Sequence, residues 1–132
     1  MKRIVLDTNA YIRFLRGDKA VLGALSRAET VYMSVIVMGE LYARFQGGSK
    51  VQQNKAVLEQ FLRKSAVAVL EVDCETAQIF GEIKQTLKKS GTPIPINDVW
   101  LSAQTLGTGS VLVSCDRHFL LVPGLRVWDD IR

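Results

Sequence analysis

Apolar and polar positions follow two periods along this 132-residue chain. Short runs of β-branched and large apolar residues between turn formers predict strands, and apolar residues three and four apart predict helices. The first run, Ile4-Val5-Leu6, ends abruptly in Asp7-Thr8-Asn9, a carboxylate, a hydroxyl and an amide. A short helix follows at once, with Ile12 and Leu15 apolar and Thr8 or Asn9 as its cap. Gly17-Asp18 breaks it, and a second helix over 19–28 carries Val21, Leu22 and Leu25 on one face. Thr30-Val31-Tyr32-Met33 predicts a second strand. Ser34 then caps the most apolar helix, Val35 to Phe45, which Gly47-Gly48 ends. Residues 50–64 form an amphipathic helix through Val57, Leu58, Phe61 and Leu62. A third strand over 67–72 leads into a helix over 75–89 with Ala77, Phe80, Ile83 and Leu87, closed by Gly91. Thr92-Pro93-Ile94-Pro95-Ile96 is a stiff linker, because each proline restricts the residue before it. Asn97 or Asp98 opens a helix through Leu106, residues 110–114 form a fourth strand, and 126–128 a short fifth.

Strands that alternate with helices imply βαβ units, hence an α/β fold with a parallel sheet of four to five strands covered on both faces. The pattern leaves the strand order open. The length suits a single domain over 1–132 with a sizeable core. The apolar runs fall far short of the ~20 residues of a membrane span, and Asp7 interrupts the first too early for a signal peptide. A cytoplasmic protein without a membrane partner is expected. Cys74 and Cys115 make neither a disulfide framework nor a zinc knuckle and are expected as small buried thiols. The net charge of +4 changes the picture only if the acids cluster. The remaining surface is then strongly basic and suits a polyanion.

Four acids have positions that suggest clustering, and each also has a local explanation. Asp7 and Asp116 follow the first and fourth strands, where turns and caps use acids. Asp98 lies at a helix start, where a carboxylate favours the macrodipole. Glu40 sits in the most apolar helix, either unpaired at considerable cost or in an i, i+4 ion pair with Arg44. Jointly they point to one edge. Asp7 and Asp116 lie beyond the carboxyl ends of parallel strands, where ligand crevices open; Glu40 is on the first turns after the second strand, and Asp98 begins the helix that leads to the fourth. Four converging carboxylates repel one another unless a cation sits among them. Oxygen donors without cysteine or histidine suit Mg²⁺ or Mn²⁺ rather than zinc.

Leu6-Asp7-Thr8-Asn9, Gly39-Glu40-Leu41, Pro95-Ile96-Asn97-Asp98 running into Val99-Trp100-Leu101, and Ser114-Cys115-Asp116-Arg117-His118-Phe119 carry a resemblance over nearly the whole chain. The sequence resembles PIN domains, specifically the VapC-type toxins of toxin–antitoxin pairs. The resemblance implies a PIN-like three-layer fold and a metal-dependent endoribonuclease using Mg²⁺ or Mn²⁺. It also implies an RNA substrate, a homodimer and a cognate antitoxin through which alone DNA is contacted. It carries catalytic and metal-ligand roles onto Asp7, Glu40, Asp98 and Asp116. Supporting hydrogen bonds fall to Thr8, Asn9, Asn97 and Ser114. Ser114 departs from the family's commoner threonine and keeps the hydroxyl; Cys115 occupies a variable position.

The residues fit such chemistry. Phosphodiester hydrolysis needs an activated water and neutralised phosphoryl oxygens, which one or two divalent ions provide. His118 is the only histidine, so one chain cannot supply a histidine pair; it is expected as a surface or cap residue. Arg13, Arg16, Lys19, Arg44 and Arg117 lie near the predicted crevice, as holders of RNA phosphates or as solvated helix faces. An aspartyl-phosphate phosphohydrolase requires a second acid where Asn9 stands, a receiver domain an acidic pair and a late lysine, and Gly107-Thr108-Gly109-Ser110 lacks the P-loop lysine. The remaining alternative is a catalytically idle PIN domain acting as an RNA- or protein-binding module. The presence of all four acids favours the enzyme.

Overall fold

The computed structural model describes residues 2–129. Its strands are β1 (Arg3–Leu6), β2 (Thr30–Ser34), β3 (Val67–Leu70), β4 (Val111–Val113) and β5 (Val127–Trp128). Six helices connect them: α1 (Thr8–Leu15), α2 (Lys19–Arg27), α3 (Val35–Gln46), α4 (Val51–Leu62), α5 (Cys74–Ser90) and α6 (Ile96–Gly107), with a 3-10 helix over Arg117–Leu121. The strands are all parallel, in the order β3-β2-β1-β4-β5. Ile4, Val5 and Leu6 have no exposed surface, which is why the most uniformly apolar run becomes the central strand. The chain leaves β1 towards β2 and β3 on one side, and returns through α5 and α6 to β4 and β5 on the other. By the general right-handed rule for such crossovers, connections running in opposite directions put helices on both faces. They also make the gap between β1 and β4 the topological switch point.

Local chemistry sets the boundaries. Asp7 caps α1 by accepting the Ala10 N–H, so Thr8 and Asn9, the expected caps, lie inside the helix. Asp18, Ser34 and Asp73 cap α2, α3 and α5 in the same way. Gly91 ends α5 with φ of 69°, which only glycine adopts without strain. Helix α6 begins at Ile96, immediately after Pro95, so Asp98 lies within its first turn instead of opening it. Proline at the boundary has no amide to leave unpaired, and this moves the start ahead of Asn97. Strand β3 stops at Leu70, two residues short of expectation, and β5 is only Val127–Trp128. Neither cysteine is fully buried: Cys74 is exposed at the first position of α5 and Cys115 is half-buried.

The main core joins the sheet to α1, α3 and α4. Tyr11 meets the ring of Phe61 edge-on at 5.3 Å, and Phe14 packs on the same ring at 5.2 Å. A smaller cluster of Ile83, Leu87, Ile94, Val99, Ala103 and Val122 fastens α5 to α6, and Phe80 stacks on Trp100 beside it at 3.8 Å. No helix among the described residues is long and apolar enough to cross a membrane.

One buried polar tie crosses these layers. Gln104, 1% exposed, accepts from the Ser34 hydroxyl and donates to the Leu70 carbonyl at 3.2 Å, joining α6 to the ends of β2 and β3. Replacing it with leucine leaves two buried groups unpaired, so Gln104→Leu is expected to lower unfolding stability by about 2 kcal/mol. Urea denaturation of the two proteins measures it; equal midpoints would contradict the role given to this tie.

Candidate active site

Strand β1 pairs with β4 in the register Leu6↔Val113, so the two strands end level. The Asp7 N–H continues the ladder by donating to the Val113 carbonyl at 3.4 Å. The residues that follow, Asp7 and Ser114, are therefore neighbours. Asp7 is 6% exposed, and both its oxygens are engaged: Oδ1 accepts the Ala10 N–H at 2.7 Å and Oδ2 accepts the Ser114 hydroxyl. Ser114 Oγ accepts the Asp116 N–H at 3.0 Å in turn, so one hydroxyl positions two acids. Thr8, in the first turn of α1, donates from Oγ1 to Glu40 Oε1 at 2.8 Å and ties α3 to the same edge.

The other side of the crevice belongs to α6 and the 3-10 helix. Asp116 caps the latter by accepting the His118 N–H at 3.0 Å. That turn brings His118 Nδ1 to 3.1 Å from Asp116 Oδ1 and 3.3 Å from Asp98 Oδ2. Asp7, Glu40, Asp98 and Asp116 all line one polar cleft of about 90 Å³, walled by Leu101 and Phe119, with Arg44 beside it.

The acids feel one another. Burial raises the pKa of Asp7 to about 6 against the hydrogen bonds from Ser114 and Ala10, with further upward pressure from Asp116 and Asp98. Burial also raises Asp98, opposed by its hydrogen bond with His118 and assisted by the charges of Asp116 and Glu40. A divalent cation would relieve this repulsion. The donor set of carboxylate oxygens plus one imidazole fits such an ion, with ligand atoms of Asp98, Asp116 and His118 all within 4.8 Å of one another.

The structure thus gathers the four expected acids with Thr8 and Ser114. It does not join the two amides to them by hydrogen bonds: among the described residues Asn9 and Asn97 are exposed and neither side chain makes one. No Glu40–Arg44 ion pair forms among the described residues; Glu40 turns to Thr8 instead. Arg13 is held by Asp18 at 3.3 Å, and with Arg16 and Asn9 it lines a larger cleft of about 420 Å³ that adjoins the acids at Asn9 and ends at Cys115. Arg117 and Lys19 are exposed. His118 was expected as a surface or cap residue; it is half exposed, yet its ring meets two of the acids. Its spacing, two residues beyond Asp116, was the only sequence signal.

A model of the PIN domain matches residues 4–125. The chain belongs to the PIN-domain family. Curated relatives place it among the VapC proteins of that family. It is 34% identical over 131 residues to ribonuclease VapC2 of Haemophilus influenzae, covering 96% of each chain. It is 28% identical over 132 residues to the tRNA(fMet)-specific endonuclease VapC of Salmonella typhimurium, covering 98% of each. The solved structure of VapBC-1 from nontypeable Haemophilus influenzae superposes with a TM-score of 0.85 at 26% identity, covering 96% of this chain and 97% of that one. The PIN fold accounts for the acids' arrangement: Asp7 and Asp116 follow β1 and β4, Asp98 lies in the first turn of α6, and Glu40 lies in the second turn of α3, tied to Thr8 at the same edge.

The raised Asp7 pKa has a measurable consequence without metal. An unfolded aspartate titrates near 3.9, so between about pH 4 and pH 6 the folded PIN domain binds the extra proton. Stability from this group is fully present below pH ~4 and lost as pH rises through ~6, by up to about 3 kcal/mol. In chelator, Asp7→Asn is expected to gain on the wild type as pH rises from 4 to 7. Parallel stability curves in denaturant melts across that range would refute the assignment.

Proposed function

We propose that this PIN domain is a metal-dependent endoribonuclease, the toxin of a toxin–antitoxin pair. Asp7, Glu40, Asp98 and Asp116 hold Mg²⁺ or Mn²⁺ and act as its catalytic acids. The observation that carries this reading is the convergence of carboxylates from four separate segments on one cleft at the β1–β4 switch point. The 34% identical relative bears the name ribonuclease, which supports RNA as the substrate. The solved VapBC-1 relative supports a cognate antitoxin as partner; in this reading DNA is reached only through that antitoxin. In this reading the protein is a single-domain cytoplasmic homodimer.

A divalent cation held by these acids would supply charge neutralisation for phosphoryl oxygens and would lower the pKa of a water molecule. The protein supplies the rest. Ser114 and the Ala10 amide hold Asp7 with one hydrogen bond per oxygen, which leaves each oxygen a second lone pair that could serve a cation. Thr8 holds Glu40 in the same manner. Leu101 and Phe119 limit the water that reaches the acids. Arg44 at this cleft, and Arg13 and Arg16 in the adjoining one, bind phosphates on either side of the reacting one. Arg117, exposed beside Asp116, extends that basic surface. Attack of water on phosphorus opposite the 3′-oxygen forms one P–O bond and breaks the other, and the released 3′-oxygen takes a proton.

Three outcomes are expected. EDTA or Asp98→Asn abolishes cleavage of a generic RNA; full cleavage in either condition would overturn the metal-dependent mechanism, and no cleavage by the wild type with Mg²⁺ or Mn²⁺ would leave the idle binding module. The new ends carry a 5′-phosphate and a 3′-hydroxyl, so a 2′,3′-cyclic phosphate in mass spectra would overturn attack by water. Glu40→Gln lowers kcat at least about 100-fold, the scale of a lost general acid or base. Arg44→Ala raises KM and leaves kcat nearly unchanged. Equal, small losses in both variants would return Glu40 to a structural role.

A further inference from the structure

His118 lies against the acids although the proposed reaction gives it no task. Its Nδ1 is 3.1 Å from Asp116 Oδ1 and 3.3 Å from Asp98 Oδ2. Ligand atoms on adjacent corners of an octahedron with bonds of ~2.1 Å are ~3 Å apart. The nitrogen therefore stands from each oxygen at about the length of one coordination edge. Its placement is also fixed from behind: Asp116 Oδ1 accepts the His118 amide at 3.0 Å, and this turn aims the ring at Asp98. The side chain is 48% exposed, so apolar packing does not explain its position.

We propose that His118 is a nitrogen ligand of the cation held by Asp98 and Asp116, and that it biases the site towards Mn²⁺ over Mg²⁺. The proposal rests on the metal-site reading given above. Imidazole suits later first-row ions, whereas Mg²⁺ favours oxygen and keeps its water. The competing role, a cationic counter-charge between two carboxylates, puts no nitrogen on the metal.

Because the chain holds a single histidine, isotope labelling reports on this ring alone. The test uses tag-free, full-length protein with ¹⁵N only in histidine, Mn²⁺ alone as the probe, and pulsed electron paramagnetic resonance. Bound Mn²⁺ is expected to show ¹⁵N coupling in the wild type and none in His118→Gln. The ratio of Mn²⁺ to Mg²⁺ affinity, measured by calorimetry, is expected to fall about tenfold in that variant, the scale on which even outer-sphere partners change metal binding. Bound Mn²⁺ without ¹⁵N coupling, together with an unchanged ratio in His118→Gln, would overturn the proposal. Asp116→Asn separates the two levels. If it loses Mn²⁺ while His118→Gln behaves as wild type, the histidine role alone falls; if it binds Mn²⁺ as wild type does, the metal site falls with it.

Discussion

Parallel pairing of Leu6 with Val113 brings two segments to a common level although the residues that follow, Asp7 and Ser114, are 107 positions apart in sequence. From that alignment the Ser114 hydroxyl reaches the Asp7 carboxylate and the Asp116 amide reaches Ser114. The acid after one strand is thereby locked to the acid after the other. Thr8 extends the same network to Glu40 on α3, and His118 extends it to Asp98 on α6. A slip of one residue between β1 and β4 would turn these side chains to the other face of the sheet and dissolve the site. The uninterrupted burial of Ile4, Val5 and Leu6 makes such a slip costly, because every alternative register breaks the same central contacts.

The same network explains why so polar a cleft can exist at the edge of so apolar a core. Asp7 is buried and repelled by its neighbours, so the folded chain carries a penalty that its own hydrogen bonds only partly offset. The cap on α1 is part of that offset, since one Asp7 oxygen satisfies an otherwise orphaned helix amide. One residue thus closes a strand, opens a helix and faces the cleft. The stability it forgoes is drawn from packing elsewhere, in the Tyr11–Phe14–Phe61 aromatic group and along the central strands.

Much of this was legible in the sequence wherever chemistry and periodicity acted locally. Asp7 and Asp116 were placed at strand ends because apolar runs stop at them, and Glu40 drew notice as a charge inside an apolar helix. The strand order was not legible, because which edges pair depends on contacts far apart in sequence. The α1 cap was misplaced by one residue because three consecutive polar residues can all cap, and only the strand's end decides among them. Asn9 and Asn97 took supporting roles from the resemblance; both are exposed, and Asn9 lines the cleft of the acids without a side-chain hydrogen bond among the described residues. His118 is a surface residue as expected, but its contact with the acids was not legible, because a 3-10 turn has no periodic signature and the approach to Asp98 depends on α6 lying beside that turn. The cysteines were misjudged because their positions, a helix start and a loop, follow from neighbouring elements instead of their own hydrophobicity.

The position of β4 in the sheet bears on synthesis as well as on the finished molecule. β1, β2 and β3 can pair as soon as they emerge from the ribosome, but β1 keeps an open edge until β4 arrives to fill it. Asp7 and Glu40 are then on hand, while Ser114 and Asp116 are still to come. A nascent chain therefore holds Asp7 and Glu40 apart from Asp98 and Asp116 until the later segments are made. The four acids come together only once β4 pairs with β1, so the cleft waits for one of the last segments of the chain to be made.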